Sequence, residues 1–379
     1  MKHELELELI DELLALKAQN THYLDEAVAR NATAHYTDEA RCAQEIERIH
    51  KRLPIIAAHI SEVENAGDFV RRDLHGRPIL ITRDKTGQVN AFLNVCRHRG
   101  TRLVDDEAGC KKRFSCPYHG WTYANSGELI GAPHFDEGFP DESKDELGLK
   151  RVDIKIAFGF VWILPSAAPD FDFDAFFSEI AADLEAIGLE DMVIAGETRE
   201  TRLANWKLIV EGGIEAYHFR VAHRKTIGPY FEDNLSSYRM LGAHMRSILP
   251  RTSMSKLDTD SRETWRLRDH ANVLYNLFPA TSLLVQQDHV VWINQLPVSA
   301  GQSELRLVTL VPKQSSNDAA YWQRNHEITT STLAEDFDIG ESIQAVAMSG
   351  ANEDMVFGRF EGALDKFNQV VERYLRDNS

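Results

Sequence analysis

Cys96-Arg97-His98 and, after seventeen residues, Cys116-Pro117-Tyr118-His119 place two Cys-His pairs on two loops, a set that can chelate a metal centre. Two thiolates and two imidazoles suit a tetrahedral zinc, or a [2Fe-2S] cluster in which the histidines hold one iron and the cysteines the other. The spacing alone does not choose between them. Short strands are expected around the loops. Pro78–Arg83 and Val89–Val95 lead into the first, separated by a turn at Lys85-Thr86-Gly87, and Arg113–Ser115 leads into the second.

The rest of the chain is too long for an electron carrier alone. Its 379 residues, 43% apolar, can bury two cores, and the length favours two domains. A formal charge of −17 argues against nucleic acid as a partner, because phosphate binding calls for a basic surface. The opening Met1-Lys2-His3-Glu4-Leu5-Glu6 lacks an apolar signal core, and no apolar run is long enough to span a bilayer. The expectation is a cytoplasmic enzyme with no membrane partner. Of four cysteines, Cys42 and Cys110 remain as free thiols of a reducing compartment.

Three segments follow from the patterning. Residues 1–50 read as helices, with an apolar stripe at Leu9, Ile10, Leu13, Leu14 and Leu16 and a cap at Thr37-Asp38-Glu39-Ala40 before a helix ending near Leu53-Pro54. Residues 51–165 form a β-rich cluster domain, closed by a strand pair at Arg151–Ala157 and Gly159–Leu164, with its exit at Pro165-Ser166-Ala167-Ala168-Pro169. Residues 166–379 carry strands at Met192–Leu203, Arg239–Leu249, Thr281–Gln287, His289–Leu296 and Glu304–Val311, and helices near 205–220, 317–349 and 353–376. The fold class is α+β, a curved antiparallel sheet wrapped on a long helix.

A second constellation, Glu215-x2-His218-x4-His223, sits on the first of those helices. Two histidines at this spacing are by themselves more often core or surface residues than ligands. The surrounding motifs change the weighting. C-R-H-R-G at 96–100 and C-P-Y-H-G-W at 116–121 resemble the Rieske cluster signature. Asn205-Trp206-Lys207 and Tyr217-His218 resemble the catalytic domain of Rieske non-heme iron oxygenases, the alpha (terminal oxygenase) subunits of the aromatic-ring-hydroxylating dioxygenase family. The resemblance runs in order over residues 45–345 and implies a helix-grip catalytic domain behind the Rieske domain.

It further implies a [2Fe-2S] cluster on Cys96, His98, Cys116 and His119, and a mononuclear Fe(II) on His218, His223 and a carboxylate. Two imidazoles and one carboxylate on one face of Fe(II) leave positions open for O2 and keep substrate close. The family draws its carboxylate from a later helix that begins with an acidic pair. Asp336 in Glu335-Asp336-Phe337-Asp338 takes that place, with Asp338 and Glu335 as alternatives. Acidic residues in a first helical turn also stabilise the macrodipole, and most such residues do nothing more. Glu215 stands where a carboxylate bridges an iron histidine, His218, and a cluster histidine, His119, across the boundary of a homotrimer. Most ring-hydroxylating members have Asp there, while members acting on quaternary ammonium compounds have Glu. Gly212-Gly213 departs from the usual Asn after Glu211. Arg99 and Tyr118 stand where respiratory Rieske proteins carry a disulfide. Trp121 and Tyr123 stand where those proteins place a Ser and a Tyr on the sulfurs, and fewer donors to sulfur lower the potential.

The function implied is that of a terminal oxygenase using O2 and electrons from NAD(P)H, delivered by a reductase and in some members a ferredoxin. It hydroxylates a small organic substrate, an aromatic compound in the first reading and a carnitine- or betaine-type quaternary ammonium compound in the second. A cation would need an aromatic or acidic pocket. Phe219, Tyr230, Phe231, Trp265, Tyr275, Phe278 and Trp292 are candidate wall residues. A Rieske-type electron-transfer protein and a zinc-stabilised interaction module are the other classes. A beta subunit joins the trimer in part of the family.

Overall fold

The computed structural model describes residues 1–165 and 171–377. They divide into two compact units, Arg52–Phe171 and a second built from Met1–Lys51 together with Asp172–Ser379. The expected exit at 166–169 lies outside the described residues. Among the described residues no helix is long and apolar enough to cross a membrane.

The Arg52–Phe171 unit is made of three small antiparallel sheets. One orders Val89–Leu93, Arg77–Arg83, Asp68–Leu74 and Ala108–Cys110; another orders Arg113–Ser115, Thr122–Ala124 and Leu129–Gly131. The third pairs Ile154–Ala157 with Phe160–Ile163 and that strand with Ile55–His59. The turn expected at 85–87 forms as Gly87 N–H donates to Asp84 O at 3.0 Å. Phe69, Phe92, Phe114, Trp121 and Tyr123 fill a core in which Cys96 and Cys116 are also buried.

The other unit is built on a seven-stranded antiparallel sheet, ordered Met192–Arg202, Gln302–Pro312, Val290–Ser299, Thr281–Val285, Ala271–Leu277, His244–Pro250 and Ser237–Leu241. The Trp206–Ile214 and Ala319–Ala347 helices pack on it, and Ala204, Ile209, Val291, Ile293, Leu305, Leu307 and Phe337 form the core between them. This is the α+β arrangement read from the sequence.

Several boundaries differ from the expectation. The strand expected over 239–249 is a hairpin, Ser237–Leu241 and His244–Pro250, because Gly242 takes φ +67° and reverses the chain. The strand Ala271–Leu277 was not anticipated; all seven of its residues are buried, so it shows no alternation. Residues 353–376 are not one helix but a strand, Asp354–Phe357, followed by the Gly362–Asp377 helix. That strand pairs with Ala29–Ala32 near the start of the chain. In the N-terminal segment the Asp38 carboxylate caps the Glu39–Glu45 helix, accepting from Ala40 N at 2.8 Å and Arg41 N at 3.3 Å.

Candidate metal centres

The two Cys-His loops of the Arg52–Phe171 unit are built alike. In the first, Cys96 N–H donates to Thr101 O at 2.8 Å and Gly100 N–H to Cys96 O at 3.0 Å; in the second, Cys116 N–H donates to Trp121 O at 2.7 Å and Gly120 N–H to Cys116 O at 3.1 Å. Gly100 and Gly120 take φ +81° and +71°, a conformation that glycine reaches without steric cost. The loops face each other so that His98 Nδ1 and His119 Nδ1 lie 3.1 Å apart. The sulfurs sit inside, with Cys96 and Cys116 only 2% and 4% exposed, while His119 is at the surface. Two buried thiols on one side and two converging Nδ1 atoms on the other fit a cluster with one thiolate-held and one imidazole-held iron.

Trp121 and Tyr123 do different work. The Trp121 indole stacks on the His98 ring, with centroids 4.9 Å apart and planes 10° from parallel, so the Ser position has become a support for an imidazole. Tyr123 keeps its contact with sulfur: its hydroxyl accepts from Arg97 N–H at 3.0 Å and lies 3.5 Å from Cys96 Sγ, placed to donate. The expected loss of donors to sulfur therefore applies at 121 and not at 123.

In the other unit, the helix Trp206–Ile214 starts from Asn205, whose side chain accepts from Lys207 N–H at 3.0 Å. It ends where Gly212 and Gly213 weaken it and Glu215 turns extended, at φ −126° and ψ 163°. The expected continuous helix over 205–220 is thus broken just before the histidines. Glu215 restarts the chain: its carboxylate accepts from the backbone N–H of Tyr217 and of His218, the latter at 3.3 Å, and also takes the Nδ1–H of His218. One short turn, Phe219–Ala222, then sets His218 before it and His223 after it.

Asp336 meets both rings. Its Oδ1 lies 3.3 Å from His218 Nε2 and 2.9 Å from His223 Nε2, and the two Nε2 atoms are 3.2 Å apart. One ligand atom from each of the three residues falls within 4.8 Å of the others. Glu335 approaches His223 from behind, accepting from Nδ1–H at 2.6 Å and from the Thr226 hydroxyl at 2.7 Å. Asp338 is turned away, bonded to Arg202 at 2.8 Å. The acidic run lies deep inside the 29-residue Ala319–Ala347 helix and not at its start, so the macrodipole reading does not apply to it.

The electrostatics suit a cation. Burial opposes charge on the His218 ring, but Asp336 and Glu215 outweigh it and raise that imidazole to about 10; His223 is raised for the same reason by Asp336 and Glu335. Asp336, against its own burial, is held below the usual carboxylate range by the two histidines. Proton affinity this high reports a strongly negative locus, which a divalent metal satisfies by displacing those protons. The two Nδ1–H···carboxylate contacts fix each ring with its Nε2 lone pair toward the centre. Imidazole, imidazole and carboxylate from one side are the donor set of a facial non-heme iron site.

His223 and Asp336 form part of the wall of a cavity of about 350 Å3. Its other walls are mainly apolar, including Ile209, Val210, Leu249, Leu274, Leu284 and Ile293. Phe219, Tyr230 and Phe231 line it as expected, and Phe337 does so without having been anticipated. Trp265, Tyr275, Phe278 and Trp292 do not line it; they are buried in the core. Gly212 and Gly213 also border it, and without side chains there the cavity reaches the Asp336 helix.

Sequence reasoning missed two buried polar assemblies behind the site. Glu45 accepts from Lys207 Nζ at 2.8 and 2.7 Å and from Trp206 Nε1 at 2.9 Å, with both charged side chains fully buried. Glu211 Oε1 accepts from Tyr36 OH and from Asn368 Nδ2, each at 2.7 Å. Burial pushes the Glu211 carboxyl up to about 7 although both partners favour its ionised form.

Residues 54–152 match the family model of the Rieske [2Fe-2S] domain, and residues 189–377 match that of the ring hydroxylating alpha subunit catalytic domain. The chain is 32% identical over 219 residues to the glycine betaine monooxygenase oxygenase subunit of Pseudomonas aeruginosa, covering 58% of this chain and 50% of that one. It is 33% identical over 199 residues to the biphenyl 2,3-dioxygenase subunit alpha of Rhodococcus jostii, covering 50% and 42%. The chain thus spans about half the length of the curated relatives it matches. Among solved structures, the quaternary ammonium Rieske monooxygenase CntA shares the fold with a TM-score of 0.79 at 23% identity, over 92% of this chain and 96% of that one. Naphthalene 1,2-dioxygenase from Rhodococcus sp. shares it with a TM-score of 0.77 at 18% identity, over 97% and 98%. With a Rieske [2Fe-2S] domain and the mononuclear-iron catalytic domain in one chain, the protein belongs to the family of Rieske non-heme iron oxygenase alpha subunits.

Proposed function

We propose that the protein is the terminal component of an oxygenase system, hydroxylating a small, mostly apolar organic substrate, an aromatic compound in the first instance. The observation that carries this reading is the His218, His223 and Asp336 set, of which His223 and Asp336 line the apolar cavity. When bound, the mononuclear iron supplies O2 activation and the Rieske cluster supplies electrons one at a time. His218, His223 and Asp336 are the residues that would hold that iron. Glu215 and Glu335 keep the two imidazoles in register by taking their Nδ1 protons. The aliphatic and aromatic walls bind the substrate and keep bulk water from the reacting face.

Electrons would come from NAD(P)H through a reductase, with or without a ferredoxin, in a cytoplasmic homotrimer. Glu215 would pass them between subunits by joining His218 to His119 of a neighbouring copy. The exposure of His119 supports this reading, as does the inter-subunit electron transfer described for the carnitine-oxidising relative. A quaternary ammonium substrate is the second reading. It is favoured by Glu at 215 and by four aromatic rings, Phe219, Tyr230, Phe231 and Phe337, in the cavity wall.

The test is a single turnover of reduced, iron-loaded protein with isotopically labelled O2 and a panel of aromatic hydrocarbons, aromatic acids, betaines and carnitine. Labelled ring hydroxyls support the first reading, and formaldehyde or a labelled alcohol from an ammonium compound supports the second. Reoxidation of the cluster with no labelled product from any member would overturn the oxygenase assignment.

A further inference from the structure

The cavity beside His223 and Asp336 holds one cationic side chain that the iron chemistry does not use. Arg251 follows directly on the His244–Pro250 strand and lines the same cavity as the two ligands. Among the described residues it is the one lysine or arginine on that wall. Its guanidinium donates to Asn272 Oδ1 at 2.7 Å, and among the described residues it makes no ion pair. Asp288 and Asp269 act on it through space, without a salt bridge. Both are engaged elsewhere, Asp269 with Gln287 at 3.4 Å and Asp288 with His289 at 2.7 Å and Tyr321 at 2.9 Å. Partial burial lowers the proton affinity of Arg251, yet a guanidinium stays charged. A half-buried charge with several N–H donors and one neutral protein acceptor is incompletely compensated, and a planar anion completes it.

We propose that Arg251 is the anchor of a substrate carboxylate, so that the substrate is an organic monocarboxylate whose apolar or aromatic end is presented to the iron. This rests on the oxygenase reading and narrows it. Asn272 is the positioning residue, since its carbonyl holds the guanidinium and its amide is left to face the same ligand. Aromatic acids and trimethylammonium carboxylates share the chemistry, whereas neutral hydrocarbons and choline-like cations lack it.

The test is calorimetric titration of the holoprotein, cluster and iron in place, with two matched pairs: benzoate against methyl benzoate, and glycine betaine against choline. The anchor predicts that at least one carboxylate binds about ten- to a hundredfold more tightly than its partner, and that Arg251→Gln removes the difference. Arg251→Lys keeps the charge without the fork and should retain part of the preference. Retention by that variant, with an unchanged cluster spectrum, separates a lost anchor from a misfolded protein. Equal binding within both pairs, binding of none of the four, or a preference that survives Arg251→Gln would overturn the anchor. Carboxylate binding through Arg251 with no labelled product on single turnover would leave the anchor standing and overturn the oxygenase reading instead. Benzoate preferred over glycine betaine points to aryl acids, and the reverse order to betaines.

Discussion

Glu335 and Asp336, adjacent in sequence, take opposite nitrogens of one imidazole: Asp336 lies 2.9 Å from His223 Nε2 and Glu335 2.6 Å from Nδ1. One carboxylate therefore stands among the three converging ligand atoms where a metal would be held and the other behind the His223 ring, and substitutions should separate them. Asp336→Ala is expected to lose the mononuclear iron while keeping the visible spectrum of the cluster. Glu335→Gln should keep the iron at saturating metal but bind it about 10- to 100-fold more weakly, the usual effect of removing an outer partner. Iron analysis against metal concentration checks both, and equal iron loss in the two variants would contradict the division of roles.

Glu215 orients His218 and caps the turn that carries it. In Glu215→Ala both iron centres should remain, while electron transfer from cluster to mononuclear iron slows. Stopped-flow reoxidation of the reduced protein in the presence of substrate measures this, and an unchanged rate would remove the bridging role.

Tyr123 is the hydroxyl that reaches the sulfur of Cys96, the residue proposed to hold the cluster. Removing it in Tyr123→Phe should lower the cluster potential by roughly 20–60 mV, the equivalent of one hydrogen bond that favours the reduced state. A spectroelectrochemical titration reads the shift directly.

Lys207 and Glu45 form an ion pair with no solvent contact. Lys207→Met alone leaves the buried Glu45 carboxylate with Arg41 and Trp206 as its partners and should cost about 3 kcal/mol, the low end for breaking a buried pair, whereas Lys207→Met with Glu45→Leu should recover part of that loss. Denaturant midpoints of the two variants make the comparison, although Arg41 and Trp206 also bond Glu45 and will limit the recovery.

His244 is closed between Phe176 and Phe177, its Nε2–H donating to Phe176 O at 3.1 Å and its Nδ1 accepting from Phe278 N–H at 3.1 Å. Burial lowers its pKa to about 4, only partly offset by the Phe176 carbonyl. The unfolded ring binds its proton near pH 6.5, so the unfolded chain holds more protons between those values and stability rises with pH through that window. The contribution is complete above about pH 6.5, and about 2 kcal/mol of it is lost on going from pH 7.5 to pH 5. His244→Gln should show a flatter dependence in unfolding measurements at the two pH values.

The parts of this architecture that could be read from the chain are those written locally. Cys96 to His119 and Glu215 to His223 are contiguous motifs, and the structure brings each set together. Asp336 was assigned by resemblance, yet a physical signal was present. It shares a helix face with Leu333 and Gly340, and buried Phe337 sits beside it, while Asp338 points to solvent at 69% exposure. Arg251 had no such signal. It lies just beyond a strand whose expected bounds were wrong, and only the pairing of His244–Pro250 with Ala271–Leu277 brings it to Asn272. The same non-local pairing explains why Glu211 and Glu45 went unread: their partners are 157 to 175 and 161 to 162 residues away.

Glu211 gives the iron loop a timetable. The helix that precedes His218 and His223 is held through Glu211 by Tyr36, made before it, and by Asn368, made after it. During translation the histidines emerge more than a hundred residues ahead of Asp336 and further still ahead of Asn368. The mononuclear site is therefore complete only once residue 336 has been made, whereas the Cys-His loops, complete by residue 119, are available to an assembly machinery while synthesis is still under way.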